Sequence, residues 1–435
     1  MSISNLGDNN TQNHNERTLE EWLNWQEKLH FTAIELGLDR CSRVAEKMQL
    51  LPPSYFVISI AGTNGKGSCA VLLDTILREA GYKTGLYSSP HLLSYNERIK
   101  INGQVLPDEM LCNAFSKINR ARDDISLTYF EFSTLAAMDI FAENNIDIAI
   151  MEVGMGGRLD AVNMLDANIA IISTIDIDHQ QWLGETRGEI AKEKAGIFRP
   201  MQSAICGDLN TPATIINVAE LLGTNLLQLG KDFHYEVSDK FWSWCSGITQ
   251  YQELPIPGNG DFQIQNAATV LMALTTMQEK FPVSSEAIVN GLENFRMPGR
   301  FHLIDGEFTL VLDVAHNSQS ARVLKNNLMK MSHNRRVLLI IAMLNDKCHE
   351  DFISELLPCA NILCISGLGG ERGASAKALE SAIHPHDIDT QVMVFDKLND
   401  AFAWANSVAT SKDIISITGS FITVGMAMKY FNIEY

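Results

Sequence analysis

The part of the sequence that most constrains the fold is the glycine-rich segment GTNGKGS at residues 62–68. Apolar residues 56–60 precede it and predict a buried strand, and residues 68–80 predict a helix that ends at Gly81. A strand, a glycine-rich loop and a helix in this order are typical of a phosphate loop, where backbone N–H groups and a lysine meet phosphates. Gly67 separates Lys66 from Ser68, whereas the common motif has no residue between them. The residues predicted to bind the nucleotide are Thr63, Asn64, Gly65, Lys66, Gly67 and Ser68.

Short apolar runs alternate with amphipathic stretches along most of the chain after residue 55. This alternation predicts mainly parallel sheets covered by helices on both faces, which is an α/β fold. The elements predicted in the first part of the chain are strands at 84–87, 147–152, 168–175 and 203–206, helices at 108–121, 132–144, 186–195, 211–222 and 265–278, and a small β insertion at 231–254.

The adjacent Pro298 and Gly299 predict a linker over residues 295–300, after which a second strand–helix series begins. The sequence therefore predicts two doubly wound domains: an N-terminal P-loop ATPase-like domain over 18–297 and a smaller C-terminal Rossmann-like domain over 301–435. A disordered lead-in is expected at residues 1–17. The strands predicted in the second domain are 308–313, 337–343, 362–366, 391–395 and 414–418.

Bulk composition excludes several classes of protein. No run of eighteen apolar residues predicts a membrane span, and the polar N-terminus lacks the apolar core of a secretory signal. The eight cysteines are scattered without metal-binding spacing, as expected of reduced thiols in a cytoplasmic protein. A formal net charge of −18 argues against nucleic-acid binding. It also requires any anion site to be locally positive.

Polar side chains follow the ends of predicted strands. Glu152 ends one strand and His179 follows another, after Asp176 and Asp178. In open α/β sheets ligands bind at the carboxyl ends of strands, and a carboxylate there suits Mg²⁺. His179 alone would more often be a hydrogen-bonded surface histidine. The two aspartates are either supports for a metal site or solvated strand-end residues.

The second domain offers its own candidates near the linker. Asp313 ends a predicted strand, where its carboxylate could accept hydrogen bonds from a ribose or hold the site closed. Arg300 beside the linker is either a guanidinium delivered on domain closure to a transferring phosphoryl group or an interdomain salt bridge. Asp313 and His316 could also form a catalytic dyad, but no serine or cysteine nucleophile motif accompanies them.

Several separate motifs appear together in a specific order. The chain resembles the folylpolyglutamate synthase and dihydrofolate synthase family, relatives of the Mur ligases, over nearly all residues after 30. The motifs that carry the resemblance are the phosphate-loop variant, YSSPHL at 87–92, NERI at 96–99, FEF at 130–132, EVGMGGRLD at 152–160, DH at 178–179 with LG at 183–184, EKAGI at 193–197, NAA at 266–268, PGR at 298–300 and DVAHN at 313–317.

This resemblance implies a set of metal and nucleotide sites. It implies magnesium ligands at Ser89, Glu152 and His179, and a carbamylated Lys194 that holds a second magnesium. Carbamylation needs a neutral amine, whereas a Glu-Lys pair on a helix is most often a solvated face. The resemblance further implies ATP, two magnesium ions and a monovalent cation as cofactors. The residues implied to contact ATP are Asn266, Arg300 and Asp313, and those implied to be catalytic are Lys66, Lys194, Arg300 and His316.

The resemblance also implies a pocket for a pterin-like acceptor. Aromatic and aliphatic residues suit a flat ring, and a polar group can fix its orientation. Phe130 and Leu159 could equally be ordinary core residues. The two implied walls are Leu36, Gly37, Leu38, Asp39 and Arg40 on one side and Thr128, Tyr129, Phe130, Glu131 and Leu159 on the other.

The activity implied is ATP-dependent addition of L-glutamate to dihydropteroate and to reduced folates through an acyl phosphate, by a monomer. The domain over 18–297 would bind ATP and folate, and that over 301–435 would complete the ligase. The alternatives are a folylpolyglutamate synthase alone, a Mur-type amino-acid ligase, and a P-loop small-molecule kinase or nucleotide switch. A Mur-type ligase would carry a further N-terminal domain, and a switch would lack the second nucleotide-contacting domain.

Overall fold

The fold was described from a computed structural model of the 435-residue chain. The structure describes residues 17–247, 249–333, 335–383 and 390–434. The predicted lead-in at 1–17 lies outside this described part, except for its last residue, Arg17.

The N-terminal half is built around a large, mainly parallel sheet. Its strands are β1 (Phe56–Ala61), β2 (Thr84–Tyr87), β3 (Ile99–Ile101), β4 (Gln104–Val105), β5 (Ile148–Glu152), β6 (Ile169–Ile172), β7 (Ser203–Cys206) and β8 (Asn225–Gln228). They are ordered β4-β3-β2-β5-β1-β6-β7-β8. The six strands β2, β5, β1, β6, β7 and β8 are parallel to one another. Strands β3 and β4 extend the β2 edge of the sheet as antiparallel strands.

Apolar cores fill both faces of this sheet, as expected of strands buried on two sides. One core includes Trp22, Phe115 and Phe132, and the other includes Trp244 and Phe295. The helices of this half are α1 (Leu19–Gln26), α2 (Asp39–Lys47), α3 (Lys66–Glu79), α4 (Asp108–Arg122), α5 (Tyr129–Glu143), α6 (Gln180–Leu183), α7 (Arg187–Ala195), α8 (Ala213–Leu222), α9 (Phe262–Thr276) and α10 (Ser285–Asn294).

The predicted β insertion is confirmed as a separate antiparallel sheet. Trp242 and Trp244 point from its middle strand into the core, where each indole N–H donates to a backbone carbonyl. The strands of the insertion are β9 (His234–Val237), β10 (Phe241–Ser246) and β11 (Thr249–Pro255), in the order β11-β10-β9.

The C-terminal half forms a second sheet with helices on both faces. Its strands are β12 (His302–Asp305), β13 (Thr309–Leu312), β14 (Arg336–Ile341), β15 (Ile362–Ser366), β16 (Gln391–Phe395) and β17 (Asp413–Thr418). They are ordered β12-β13-β17-β14-β15-β16, and β12 is antiparallel to its neighbour. Its helices are α11 (Ser318–Ser332), α12 (His349–Leu356), α13 (Ala376–Glu380), α14 (Leu398–Val408) and α15 (Phe421–Tyr430).

The predicted fold of two doubly wound α/β units is confirmed, and residues 295–301 between α10 and β12 carry no helix or strand. Some predicted bounds were wrong. Helix α5 begins at Tyr129, not at residue 132, because Thr128 and Glu131 form a capping box. Strand β6 ends at Ile172, so residues 173–179 form a loop. Among the described residues, no helix has the length and apolar character needed to span a membrane.

Candidate active site

Four of the predicted site elements lie side by side at one edge of the N-terminal sheet. The neighbouring strands β2, β5, β1 and β6 are parallel, so their carboxyl ends meet at this edge. Ser89 follows β2, Glu152 ends β5, and His179 follows β6. The phosphate loop follows β1 in the middle. The strand order therefore brings together residues that lie far apart in the sequence.

Two glycines of the phosphate loop hold conformations that a side chain would obstruct. Gly62 has φ of 150° and Gly65 has φ of 86°. A Cβ on Gly62 would lie 1.9 Å from Ser173 Oγ, and one on Gly65 would lie 2.5 Å from Asn266 Oδ1. Helix α3 begins directly after Gly65, so its free N–H groups face the loop. This geometry is that of a loop formed around an anion.

Lys66 is partly buried, and its ammonium donates to the carbonyl oxygens of Gly62 at 3.0 Å and Thr63 at 3.3 Å. Burial lowers the pKa of Lys66, while the charges of Glu152 and Asp178 oppose this shift. Lys66 is therefore held at the loop by weak carbonyl contacts. A phosphate group can replace these contacts.

Glu152 and Ser89 are in direct contact, because the backbone N–H of Ser89 donates to Glu152 Oε2 at 3.1 Å. Burial raises the pKa of Glu152, opposed by the charge of Lys66. His179 has a φ of 52°, and its side chain is 37% exposed. Its partial burial lowers the pKa of the imidazole to about 4, which favours the neutral form that can act as a ligand.

In the described part of the chain, no three His, Cys, Asp or Glu side chains gather closely enough to cage a metal. One carboxylate, one hydroxyl and one neutral imidazole fit magnesium, which keeps waters and phosphate oxygens as its other ligands. The chemistry of the predicted donor set therefore fits this metal.

Lys194 lies in the last turn of α7 and is almost fully buried. Burial places the pKa of Lys194 well below its ordinary value, and the charge of Lys66 lowers it further. The solvated helix face considered from the sequence is thus wrong for this lysine. A buried neutral amine is the form that carbamylation requires.

A cavity of about 260 Å³ lies where the two halves of the chain meet. Six of the predicted nucleotide contacts line it, whereas Thr63, Lys66 and Gly67 do not. The predicted lining residues are Asn64, Gly65, Ser68, Asn266, Arg300 and Asp313. The lining residues that the sequence did not indicate are Thr174, Asp208, Leu209, Asn210, Phe262, Gln265, Gln319, Ser320 and Val323.

Most of these additional residues lie in loops and first helical turns with no motif of their own. One sequence signal was available for two of them. Asn317 is a typical helix N-cap residue, and it places Gln319 and Ser320 in the first turn of α11, at the edge of the cavity. Asn64 reaches across the cleft to this turn, and its side-chain amide donates to Asn317 Oδ1 at 3.2 Å.

Arg300 and Asp313 both line the cavity. The guanidinium of Arg300 lies 5.3 Å from the centre of the Phe421 ring, and its buried Nε has no hydrogen-bond partner among the described residues. Asp313 accepts backbone N–H bonds from Phe301 at 2.7 Å and Ala315 at 2.8 Å. Because a buried donor without a partner is costly, Arg300 fits a ligand contact better than a structural salt bridge.

His316 does not pair with Asp313. Its Nδ1 lies 2.8 Å from the carbonyl oxygen of Val314, which turns Nε2 toward Asp178 Oδ2 at 3.6 Å. Asp178 also accepts from Lys347 at 2.8 Å and Asn317 at 3.0 Å. Asp178 is thus a contact between the two halves of the chain, and with a side chain only 10% exposed it is not a solvated strand-end residue. Burial would raise the pKa of Asp178, but the hydrogen bond from His316 and the charge of Lys347 hold it well below its ordinary value.

The predicted acceptor walls also come together. The backbone N–H of Gly37 donates to the carbonyl oxygen of Leu159 at 3.1 Å, which joins the two walls. Tyr129 and Phe130 are partly exposed in the first turn of α5, and a Cβ on Gly154 would lie 2.6 Å from the Phe130 ring. Leu36, Leu38 and Leu159 are also partly exposed, Asp39 begins α2, and Arg40 pairs with Glu35 and Glu131.

The sequence was then compared with known families and proteins. Residues 60–274 match the Mur ligase middle domain, and residues 299–421 match the Mur ligase glutamate ligase domain. The dihydrofolate synthase/folylpolyglutamate synthase of Escherichia coli is 39% identical over 411 residues, which cover 94% of this chain and 95% of the relative.

Solved structures show the same similarity. The structure of E. coli FolC in complex with DHPP and ADP has a TM-score of 0.91 and 39% identity, and the match covers 96% of this chain and 98% of that chain. A bifunctional folylpolyglutamate synthase/dihydrofolate synthase with Mn, AMPPNP and L-glutamate bound has a TM-score of 0.89 and 38% identity, over 96% of this chain and 99% of that chain. The chain belongs to the dihydrofolate synthase/folylpolyglutamate synthase family of Mur ligases.

Proposed function

We propose that this protein is an ATP-dependent ligase that adds L-glutamate to dihydropteroate, giving dihydrofolate, and to the glutamate tail of reduced folates. The observation that carries the proposal is the cavity between the two halves of the chain. A phosphate loop lines one side of it, and Arg300 and Asp313 line the other. The names of the relatives contain both activities, which favours a bifunctional enzyme over a folylpolyglutamate synthase alone.

The reaction proceeds in two steps and needs no protein nucleophile. An oxygen of the acceptor carboxylate attacks the γ-phosphorus of ATP, and ADP leaves. The α-amino group of L-glutamate then attacks the acyl carbon of the acyl phosphate. The bond to phosphate breaks, an amide forms and the amine loses a proton. Lys66 in the phosphate loop and Arg300 at the cavity would offset the negative charge of the phosphoryl group.

Metal ions would complete the site, and we propose two magnesium ions and a monovalent cation. Ser89, Glu152 and His179 would hold one magnesium, and carbamylated Lys194 would hold the second. When bound, magnesium neutralises charge on the transferring group. The contact of Glu152 with the backbone N–H of Ser89 supports this assignment. His316, whose Nε2 faces the cleft at Asp178, is proposed as a catalytic residue that orients groups between the domains.

The acceptor would bind beside the loop that follows β5. We propose residues 36–40, Thr128–Glu131 and Leu159 as its walls, with the partly exposed Tyr129 and Phe130 against the flat ring. Arg40 and Glu131 pair with each other at 3.0 Å, so we assign them to shaping the wall. We also propose that the enzyme works as a monomer in the cytoplasm, where ATP and reduced folates are present.

The test is ATP-dependent incorporation of labelled L-glutamate into dihydropteroate and, separately, into a reduced folate. We expect both to be labelled, with one phosphate released per amide bond, and we expect the Lys66→Ala variant to show no turnover. Labelling of the reduced folate alone would restrict the protein to folylpolyglutamate synthase activity. Phosphate release with neither acceptor labelled would overturn the folate assignment.

A further inference from the structure

The segment over residues 27–38, between α1 and α2, contains no helix or strand. Its course therefore depends on side-chain contacts more than on backbone pairing. Residues 36–38 at its end form one wall of the proposed acceptor pocket. The position of this wall relative to the first turn of α5 and to Leu159 therefore depends on the contacts of the segment.

A continuous set of contacts, which we call the clasp, holds this segment. The clasp consists of Ser126, His30, Glu35, Arg40 and Glu131. His30 Nδ1 lies 2.9 Å from Ser126 Oγ, and His30 Nε2 lies 2.8 Å from Glu35 Oε2. Arg40 contacts the Glu35 carboxylate and donates to Glu131 Oε1 at 3.0 Å. The side chains of His30 and Glu131 are only 3% and 4% exposed, so two members of the clasp are buried.

The clasp connects directly to the second wall of the pocket. Glu131 Oε2 accepts the backbone N–H of Thr128 at 2.7 Å, while its Oε1 accepts from Arg40. One carboxylate thus caps α5 and anchors the clasp. Because Gly37 also donates to Leu159, the segment is tied to both of the other walls. A shift of the clasp would move one wall of the pocket relative to the first turn of α5.

The clasp does not reach the nucleotide site. None of its five members lines the cavity between the domains, and none follows the carboxyl end of β1, β5 or β6. Its contacts lie on α2, the segment before it, and the region from Ser126 to Glu131. Changes in the clasp should therefore act on the acceptor and leave ATP binding intact.

We propose that His30 and Glu35 are positioning residues that set the affinity for the acceptor by holding residues 36–38 against the first turn of α5. This inference rests on the proposed function, because it takes the same pocket as the acceptor site. His30 is suited to the role because its two ring nitrogens bridge two partners at fixed geometry. The hydrogen bond from His30 also lowers the pKa of Glu35, against the effect of burial, which keeps this carboxylate charged for Arg40.

His30→Ala removes the bridge and leaves Glu35 held by Arg40 alone. Because displacements of about 1 Å at a positioned substrate can cost orders of magnitude, we expect the KM for dihydropteroate to rise at least about tenfold. We expect kcat and the KM for ATP to stay within about twofold of wild type, since loss of uniform binding raises KM alone. His30→Gln keeps one donor toward Glu35 and should show a smaller rise.

The experiment measures initial rates with dihydropteroate varied at saturating ATP and L-glutamate, and then with ATP varied. Binding of dihydropteroate without ATP, followed by calorimetry, gives a second readout. His234→Ala, an exposed histidine in the β insertion, is the matched control and should behave as wild type. If His30→Ala melts at a markedly lower temperature than wild type, Glu35→Gln tests the same His30–Glu35 contact from the carboxylate side.

A selective rise in KM and dissociation constant for dihydropteroate in the His30 and Glu35 variants supports the proposal. An unchanged KM for dihydropteroate overturns it, and so does an equal rise in the KM values of both substrates, which would indicate a general structural role. Wild-type protein that neither binds dihydropteroate nor glutamylates it would overturn the proposed function itself. In that case the wild-type control fails before any variant is compared, so the two failures are distinguishable.

Discussion

Lys347→Met is expected to uncouple the two halves of the chain. The ammonium of Lys347, from the loop after β14, lies 2.8 Å from Asp178 Oδ1, in the loop after β6. Their side chains are only 8% and 10% exposed, so the pair is nearly removed from water. Asn317 and His316 contact the other carboxylate oxygen at 3.0 Å and 3.6 Å and cannot replace the lost charge fully.

The size of the effect follows from the burial of the pair. Removing one partner of a buried ion pair costs about 3–5 kcal/mol, because a charge is left without compensation. Here the cost falls on the closed arrangement, since opening the cleft lets water reach Asp178. Taking about 3 kcal/mol, the equilibrium between closed and open forms shifts by about two orders of magnitude, at about 1.4 kcal/mol for each factor of ten. We therefore expect kcat/KM for ATP to fall about a hundredfold.

The assay compares kcat/KM for ATP in wild type, Lys347→Met, Asp178→Asn and the double variant. Small-angle scattering with AMPPNP should show a larger radius of gyration for Lys347→Met. Lys325→Met is the matched control, because Lys325 pairs with Glu355 at 2.8 Å within the C-terminal half. The reasoning is refuted if Lys347→Met stays within threefold of wild type, or if the two single effects simply add in the double variant.

Two further predictions concern the residues around the metal donors. In α15, a Cβ on Gly425 would lie 2.3 Å from the carbonyl oxygen of Leu92, which follows Ser89 by three residues. Gly425→Ala should therefore shift the segment that carries Ser89. We expect activity to fall at least tenfold and the magnesium concentration needed for half-maximal rate to rise. The substitution should leave α15 folded, because alanine favours a helix interior over glycine by about 1 kcal/mol. An unfolded variant, or a folded one with wild-type magnesium dependence, would contradict this prediction. For Lys194, equilibration with ¹³C-bicarbonate should give a carbamate NMR signal that Lys194→Ala lacks, and its absence from wild type would remove the proposed second magnesium ligand.

Elements that depend on local pattern could be predicted from the sequence. The apolar run of β1, the glycines after it and the amphipathic α3 specify a strand, a phosphate loop and a helix without reference to the rest of the chain. The first turn of α5 was missed for a local reason. Thr128 and Glu131 form a capping box, which starts the helix at Tyr129.

Contacts that depend on the arrangement of the domains could not be predicted in this way. Lys347 and Asp178 are 169 residues apart, and His30 and Ser126 are 96 apart. Each of these side chains has an ordinary sequence environment, so periodicity carries no information about its partner. The spacing of Asp313 and His316 in the sequence suggested a dyad, yet the structure shows that His316 faces Asp178 instead.

The expectation that a strongly acidic chain needs a locally positive anion site requires refinement. The charges that act most on Lys66 are those of Glu152, Asp178, Arg300 and Asp160, of which three are carboxylates. Burial also places the pKa of Lys194 well below its ordinary value. Side chains alone therefore nearly balance one another around the loop, and the excess charge of a triphosphate is left to the loop N–H groups and to bound cations. It follows that binding of AMPPNP should depend steeply on magnesium.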